Sequence, residues 1–286
     1  MALYEKEPKD TENDGSLRRP EYRVSTITCN ASLAVNVNLS LFFEHVLVQP
    51  NEGFVWVEYG RNTRGIYPKK RKDAGATKKC FDNQATIIYK MSSTLSNTPD
   101  YYPNIKVFRN GSIQMTGIRT YEDGERAALV VAQEIERMRH VATVVDTSIA
   151  AITSKDFVIR MINCDFGMPY KIKRKKLHIL LTSAEHNNSC SFQPVDYPGV
   201  KLQYFWNTDP RCSNQGVCMC DKQCFGKGSG HGPGQCKKVT VSIFDSGKIL
   251  ITGANSFHQV NAAYKYIHQV ITSNEDDLKK IVPCLS

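Results

Sequence analysis

Two stretches of one chain, Ile105–Ile135 and Val241–Ile271, align without a gap at an offset of 136. The second copy lies on Val239–Ala254, VTVSIFDSGKILITGA, where Val239, Val241 and Ile243 alternate with Thr240, Ser242 and Phe244. An Asp245-Ser246-Gly247-Lys248 turn leads into Ile249–Thr252. Period-two alternation on both sides of a glycine-containing turn predicts a β-hairpin. The first copy repeats the pattern. Phe108 falls on Phe244, Gly111 on Gly247, Thr116-Gly117 on Thr252-Gly253 and Ala127 on Ala263. Each copy therefore predicts a hairpin, a Thr-Gly end and an amphipathic helix. Two long copies imply a pseudo-symmetric pair of half-domains, since a solenoid needs three or more units.

If Val239, Val241, Ile243, Ile249 and Ile251 face a core, Phe244 and Leu250 are left on the opposite face. Exposed apolar residues are common singly, so this points to function only in company. A net charge of +9 favours a polyanionic partner, nucleic acid first. No stretch approaches the apolar length of a membrane span, and no membrane partner is expected. Met1–Arg19 is polar and charged, which argues against a signal peptide. The ten cysteines are then expected as reduced thiols, metal ligands or both.

The expected layout is a disordered tail over 1–20, a first half over 21–145, a second half over 155–273 and a peripheral tail over 274–286. The first half opens with alternating residues from Tyr22, a short helix over Asn38–Val48 and strands at Phe54–Tyr59, Ala85–Lys90 and Ile105–Phe108. Tyr121–Met138 predicts a long helix by the spacing of Ala127, Val131 and Ile135. Arg61–Lys79 is dense in Lys and Arg and reads as a basic loop, either a solvated turn or a nucleic-acid contact. In the second half, Phe157–Tyr170 mirrors the opening strand at an offset of 133. That offset sets Asn30 on Asn163, Val37 on Tyr170 and Leu39 on Ile172.

The second half spends its extra length on an insertion, 207–238. Cys212, Cys218, Cys220, Cys224 and Cys236 sit there with His231 in a Gly-rich segment. Such a segment cannot build its own core, and thiolates on a structural Zn²⁺ would order it. Six candidate ligands stand against four needed. Disulfides, redox-active thiols or a loose loop with free thiols are the alternatives.

Phe157–Tyr170, Tyr197-Pro198-Gly199 and IFDSGKILITGA followed by a helix resemble the second repeat of the TATA-box-binding protein family. Phe108–Gly117, FRNGSIQMTG, resembles the same signature in the first repeat. The resemblance runs from about Arg23 to Ile271, insertions excepted. It implies an α+β saddle, in which two pseudo-symmetric halves share a curved antiparallel sheet with helices on the convex face. The concave face would sit on the minor groove, where apolar side chains wedge between base steps and kink the duplex. By motif position the wedges would be Phe108 with Phe81 and Phe244 with Tyr197. Thr116, Thr252 and Leu250 would face the groove, and Asn30 and Asn163 would be the central asparagines. Lys106, Gln114 and Ser242 depart from the family's aliphatic groove residues.

The resemblance implies a transcription initiation factor that bends promoter DNA and recruits RNA polymerase and general initiation factors. The alternative is an interaction scaffold that has lost TATA-box binding. No carboxylate cluster or nucleophile pair suggests an enzyme. The divergence and insertions suggest the lineage of a large DNA virus. The location would be the nucleus, or a cytoplasmic virus factory.

Overall fold

A computed structural model describes residues 22–68, 81–92, 99–145, 151–220, 224, 226–230 and 235–280. The expected tail over 1–20, most of the basic loop and His231 lie outside these residues. The chain divides into two compact units, Ser25–Met161 and a second formed by Ile162–Ser286 with Met1–Val24.

In the first unit, β1 (Arg23–Ser32), α1 (Leu39–His45), β2 (Gly53–Tyr59), β3 (Asn62–Gly65), β4 (Gln84–Lys90), β5 (Asn104–Phe108), β6 (Ser112–Ile118) and α2 (Tyr121–Arg139) follow in order. The strands lie β3-β2-β4-β5-β6-β1, each pair antiparallel. β3 corrects the expectation of a basic loop from Arg61, because Asn62–Gly65 pairs with Trp56–Tyr59. The second unit takes up β7 (Lys155–Gly167) from Ile162 onward. It continues with α3 (Arg174–Leu181), β8 (Ser189–Ser191), β9 (Val200–Trp206), α4 (Pro210–Gln215), β10 (Lys237–Ile243), β11 (Lys248–Ala254), α5 (Phe257–Ser273) and α6 (Glu275–Leu278). Its strands lie β7-β11-β10-β9-β8. α6 is a second correction. The segment after Ser273, expected at the periphery, buries Leu278 and its carbonyl accepts from the Lys173 N–H at 2.7 Å.

The duplicated stretch folds alike in both units. Gly111 and Gly247 close the two hairpins at φ +77° and +86°. A Cβ at Gly111 would lie 2.1 Å from the Val35 carbonyl oxygen, and one at Gly247 2.4 Å from that of Tyr170. Positive φ and this backbone contact leave no place for a side chain. The helices begin the same way. Thr120 accepts from the Asp123 N–H at 3.1 Å, and Ser256 from that of Gln259 at 3.4 Å. A hydroxyl at the helix entrance satisfies an amide that has no partner within the helix. α2 then lays Ala127, Ala128, Val131, Ala132, Ile135 and Met138 on its sheet, and α5 lays Val260, Ala263, Ile267 and Ile271, all buried. Ile105, Val107, Ile113 and Met115 form the facing surface in one unit, and Val241, Ile243, Ile249 and Ile251 in the other. Removing such side chains from water contributes about 1.5–3 kcal/mol each. The opposite face of each sheet is not covered by these helices. Among the described residues no helix is long and apolar enough to cross a membrane.

Candidate functional site

The pleat decides what the open faces carry. Ile162, Cys164 and Phe166 point into the core of the second unit, so Asn163 and Asp165 stand on the other side of β7. By the same alternation Lys248, Leu250 and Thr252 of β11, Thr240 and Ser242 of β10, and Lys201 and Gln203 of β9 share that face. Leu250 is ladder partner to both Ser242 and Asp165. Thr252 precedes Gly253, whose φ of +86° accompanies an irregularity in the β11–β7 ladder.

Phe244 caps this face at the hairpin end, half-buried, with the Tyr197 ring centred 5.8 Å away. The Lys201 ammonium stands 4.0 Å over the Tyr197 ring. Gly199 makes room for the pair, because a Cβ there would lie 2.8 Å from one ring and 3.2 Å from the other. Tyr-Pro-Gly thus delivers a tyrosine beside Phe244 and withholds the side chain that would push the rings apart.

The first unit is built differently at the matching place. Phe108 keeps its position before the turn, half-buried, and the Gly111 N–H donates to its carbonyl at 2.9 Å. Phe81, 59% exposed, makes no ring contact with it among the described residues. Register gives the reason. Ala85 pairs with Val107 as Val200 pairs with Ile243, so the residue three before this rung is Asp82 in one unit and Tyr197 in the other. Phe81 stands one residue earlier than that position, outside β4 and next to the turn that precedes it.

The asparagine alignment also changes. Leu33 donates to the Gly111 carbonyl and Val37 to that of Arg109; Met168 donates to Gly247 and Ile172 to Asp245. Ala31 pairs with Ile113 as Phe166 pairs with Ile249. The opening strands therefore correspond at 135, not 133, and the mate of Asn30 is Asp165. With its amide turned to suit its neighbours, Asn30 donates to the Cys29 carbonyl at 3.0 Å and accepts from Arg160 Nε at 3.3 Å. Asp165 takes Arg23 at 3.1 Å and Lys248 at 3.4 Å.

Asn30 and Lys106 are both ladder partners of Gln114, and Thr116 pairs with Asn104, so this open face is polar near β1. Toward its other edge it turns apolar. Trp56 pairs with Ile88, both 3% exposed, and Tyr67 and Tyr102 pack against them with Val55. This cluster was not singled out from the sequence, although Trp56 within the Phe54–Tyr59 strand was its visible sign.

The insertion brings four thiols together. The sulfurs of Cys218, Cys220, Cys224 and Cys236 all lie within 4.8 Å of one another. Cys220 and Cys236 are 3.0 Å apart, Cys218 and Cys224 3.6 Å. A tetrahedral ion with bonds of about 2.3 Å spaces its sulfurs by about 3.8 Å, and small adjustments suffice. Cys212 stands outside this group. Its Sγ is 3.3 Å from that of Cys236 and 2.8 Å from the Val217 carbonyl oxygen, and burial pushes its thiol up to about 12. Burial opposes ionisation of Cys224 too, but the Gly228 N–H and the Cys218 thiol outweigh it and bring Cys224 down to about 7. Cys236 is also lowered, by hydrogen bonds from Cys220, Asn207 and Cys212 acting against its burial. No disulfide joins the described cysteines. The cluster can bind a metal ion, and it packs on Phe205.

Residues 156–274 match the family described as transcription factor TFIID, or TATA-binding protein (TBP). A TATA-box-binding protein-like protein of Acanthamoeba polyphaga mimivirus is 29% identical over 272 residues, 87% of this chain and 65% of the relative. The TATA-box-binding protein of Tetrahymena thermophila is 25% identical over 165 residues, covering 58% and 49%. The chain thus spans about half to two thirds of the length of these relatives. Methanococcus jannaschii TBP, a solved structure, aligns with 89% of this chain and 99% of its own at 16% identity, with a TM-score of 0.48.

Proposed function

Taking the chain as a divergent TBP-like protein, we propose that its open sheet faces bind the minor groove of double-stranded promoter DNA and bend it. The observation that carries this reading is the Tyr197–Phe244 pair, two adjacent rings held at the end of an uncovered sheet face by a glycine that clears space for both. An apolar wedge offsets the cost of unstacking a base step by opening a bent groove to more contact. Thr116, Thr252, Leu250, Gln114 and Lys106 would line the groove, and Lys and Arg side chains would meet the phosphates. The helices and the basic segment would engage RNA polymerase and general initiation factors, in a nucleus or a virus factory. The chain acts here as a binding factor and not as an enzyme.

The four-thiol cluster holds one structural Zn²⁺ in this reading. Cys218, Cys220, Cys224 and Cys236 are the ligands, and the ion orders the insertion around Phe205. Protein purified without chelator should return about one zinc equivalent.

The test of the DNA reading is retardation and bending of a duplex by the purified chain, with affinity falling steeply between low and physiological salt. The scaffold alternative is favoured by the polar pair Lys106 and Gln114 on the open face of the first unit. Failure to retard any duplex, with retained binding to initiation factors, would decide for it.

A further inference from the structure

We propose that Asp165 makes this chain select a G·C pair at one position of its site, by accepting a hydrogen bond from the guanine 2-amino group. The inference rests on the minor-groove reading above and adds a specificity to it.

The pleat fixes the carboxylate on the open face, because Cys164 and Phe166 on either side are buried in the core at 1% and 5% exposure. Its ladder partner is Leu250, which that reading places against the groove. A carboxylate there needs compensation beside a polyanion. Arg23 and Lys248 supply it at 3.1 and 3.4 Å, and both cations are more than half exposed. The Asp165 side chain itself is 14% exposed beside them.

An ionised carboxylate only accepts hydrogen bonds. The minor-groove floor of an A·T pair offers only acceptors, adenine N3 and thymine O2, and guanine adds the one donor, its 2-amino group. A carboxylate on that floor is therefore repelled by A·T and engaged by G·C, with the added strength of a charged acceptor. The equivalent residue of the first unit, Asn30, can donate as well as accept and carries no such preference. Selection is expected in one half-site only.

The experiment uses the full chain and a bound A·T-rich duplex in which each pair is replaced in turn by G·C, with affinity read by fluorescence anisotropy. At one position G·C should bind about tenfold more tightly than A·T. Replacing that guanine by inosine, which lacks only the 2-amino group, should remove the gain, as should Asp165→Asn. A flat scan overturns the proposal, and so does a gain that survives inosine. Salt-sensitive binding with a flat scan removes only the role of Asp165, whereas binding to no duplex at all removes the minor-groove reading and this inference together. Should Asp165→Asn fold poorly, the inosine comparison on the unaltered chain still decides.

Discussion

Where the first unit sets Trp56 against Ile88, the second sets Ser189 against Gln203 at the equivalent rungs. Trp56 and Ile88 are covered by Tyr67 and Tyr102; the Ser189 hydroxyl donates to Gln203 Oε1 at 3.3 Å. The pattern extends over the open faces: Asn30 against Asp165, Gln114 against Leu250, Lys106 against Ser242, Asp82 against Tyr197. On the helix side the units agree nearly residue for residue in apolar character. A packed core accepts few substitutions without loss, while a face not covered by its own helices answers to whatever it touches. The two open faces are therefore not duplicates of one another. The second carries the adjacent rings of Tyr197 and Phe244 and a carboxylate, and the first carries one half-buried phenylalanine and an apolar cluster at its edge.

The largest contrast to test is the thiol cluster, which among the described residues belongs to the second unit alone. With the proposed Zn²⁺ bound there, chelation or Cys236→Ser should release it and destabilise that unit by about 3–5 kcal/mol. Hydrogen exchange should quicken along β9 and β10 and stay unchanged in β4 and β5. Equal acceleration in both units would break the assignment of the ion to one of them.

The hairpin turns are the place where the units should behave alike. Gly111→Ala and Gly247→Ala should each cost about 2–3 kcal/mol, from a left-handed backbone plus a blocked carbonyl contact. Urea midpoints of the two variants measure this, and a difference above about 1 kcal/mol would mean the turns are not equivalent.

The wedges should separate the units again. Phe244→Ala should weaken duplex binding by about one to two decades with the fold intact, since burying such a ring contributes about 1.5–3 kcal/mol. Phe108→Ala should lose less, since Phe108 has no stacked ring partner among the described residues. Equal losses would restore the symmetry that the geometry denies, and a Phe244→Ala protein that unfolds would make the ring part of the core.

The smallest effect concerns Asp245, where the first unit has Arg109. The hydrogen bond from Lys280 holds the Asp245 carboxyl below its usual range, with Arg174 and Lys171 adding to it. A lowered carboxyl contributes stability above its ordinary pKa and loses it as pH falls through the lowered value. Both partners are about one-third exposed, so Asp245→Asn should cost under about 1 kcal/mol at pH 7. The difference from the unaltered chain should shrink in urea titrations as pH falls below the ordinary carboxylate range.

What the residues determine unaided is local. Alternation, the turn glycines, the helix-entry hydroxyls and the offset of 136 depend on neighbours a few positions apart, and both hairpins with their helices were legible from them. The faces of Phe244 and Leu250 followed from the same period. Register was not legible, because a slip of two residues leaves every side chain on its face. An offset of 133 sets Asn30 on Asn163 and one of 135 sets it on Asp165, with identical alternation. Only the ladder partners and the hydrogen bonds to Gly111 and Gly247 separate them. The thiols follow the same logic. Spacing showed a group of cysteines, but which four converge depends on how α4 and the Gly-rich chain fold back over Phe205, a matter of contacts between residues far apart in sequence.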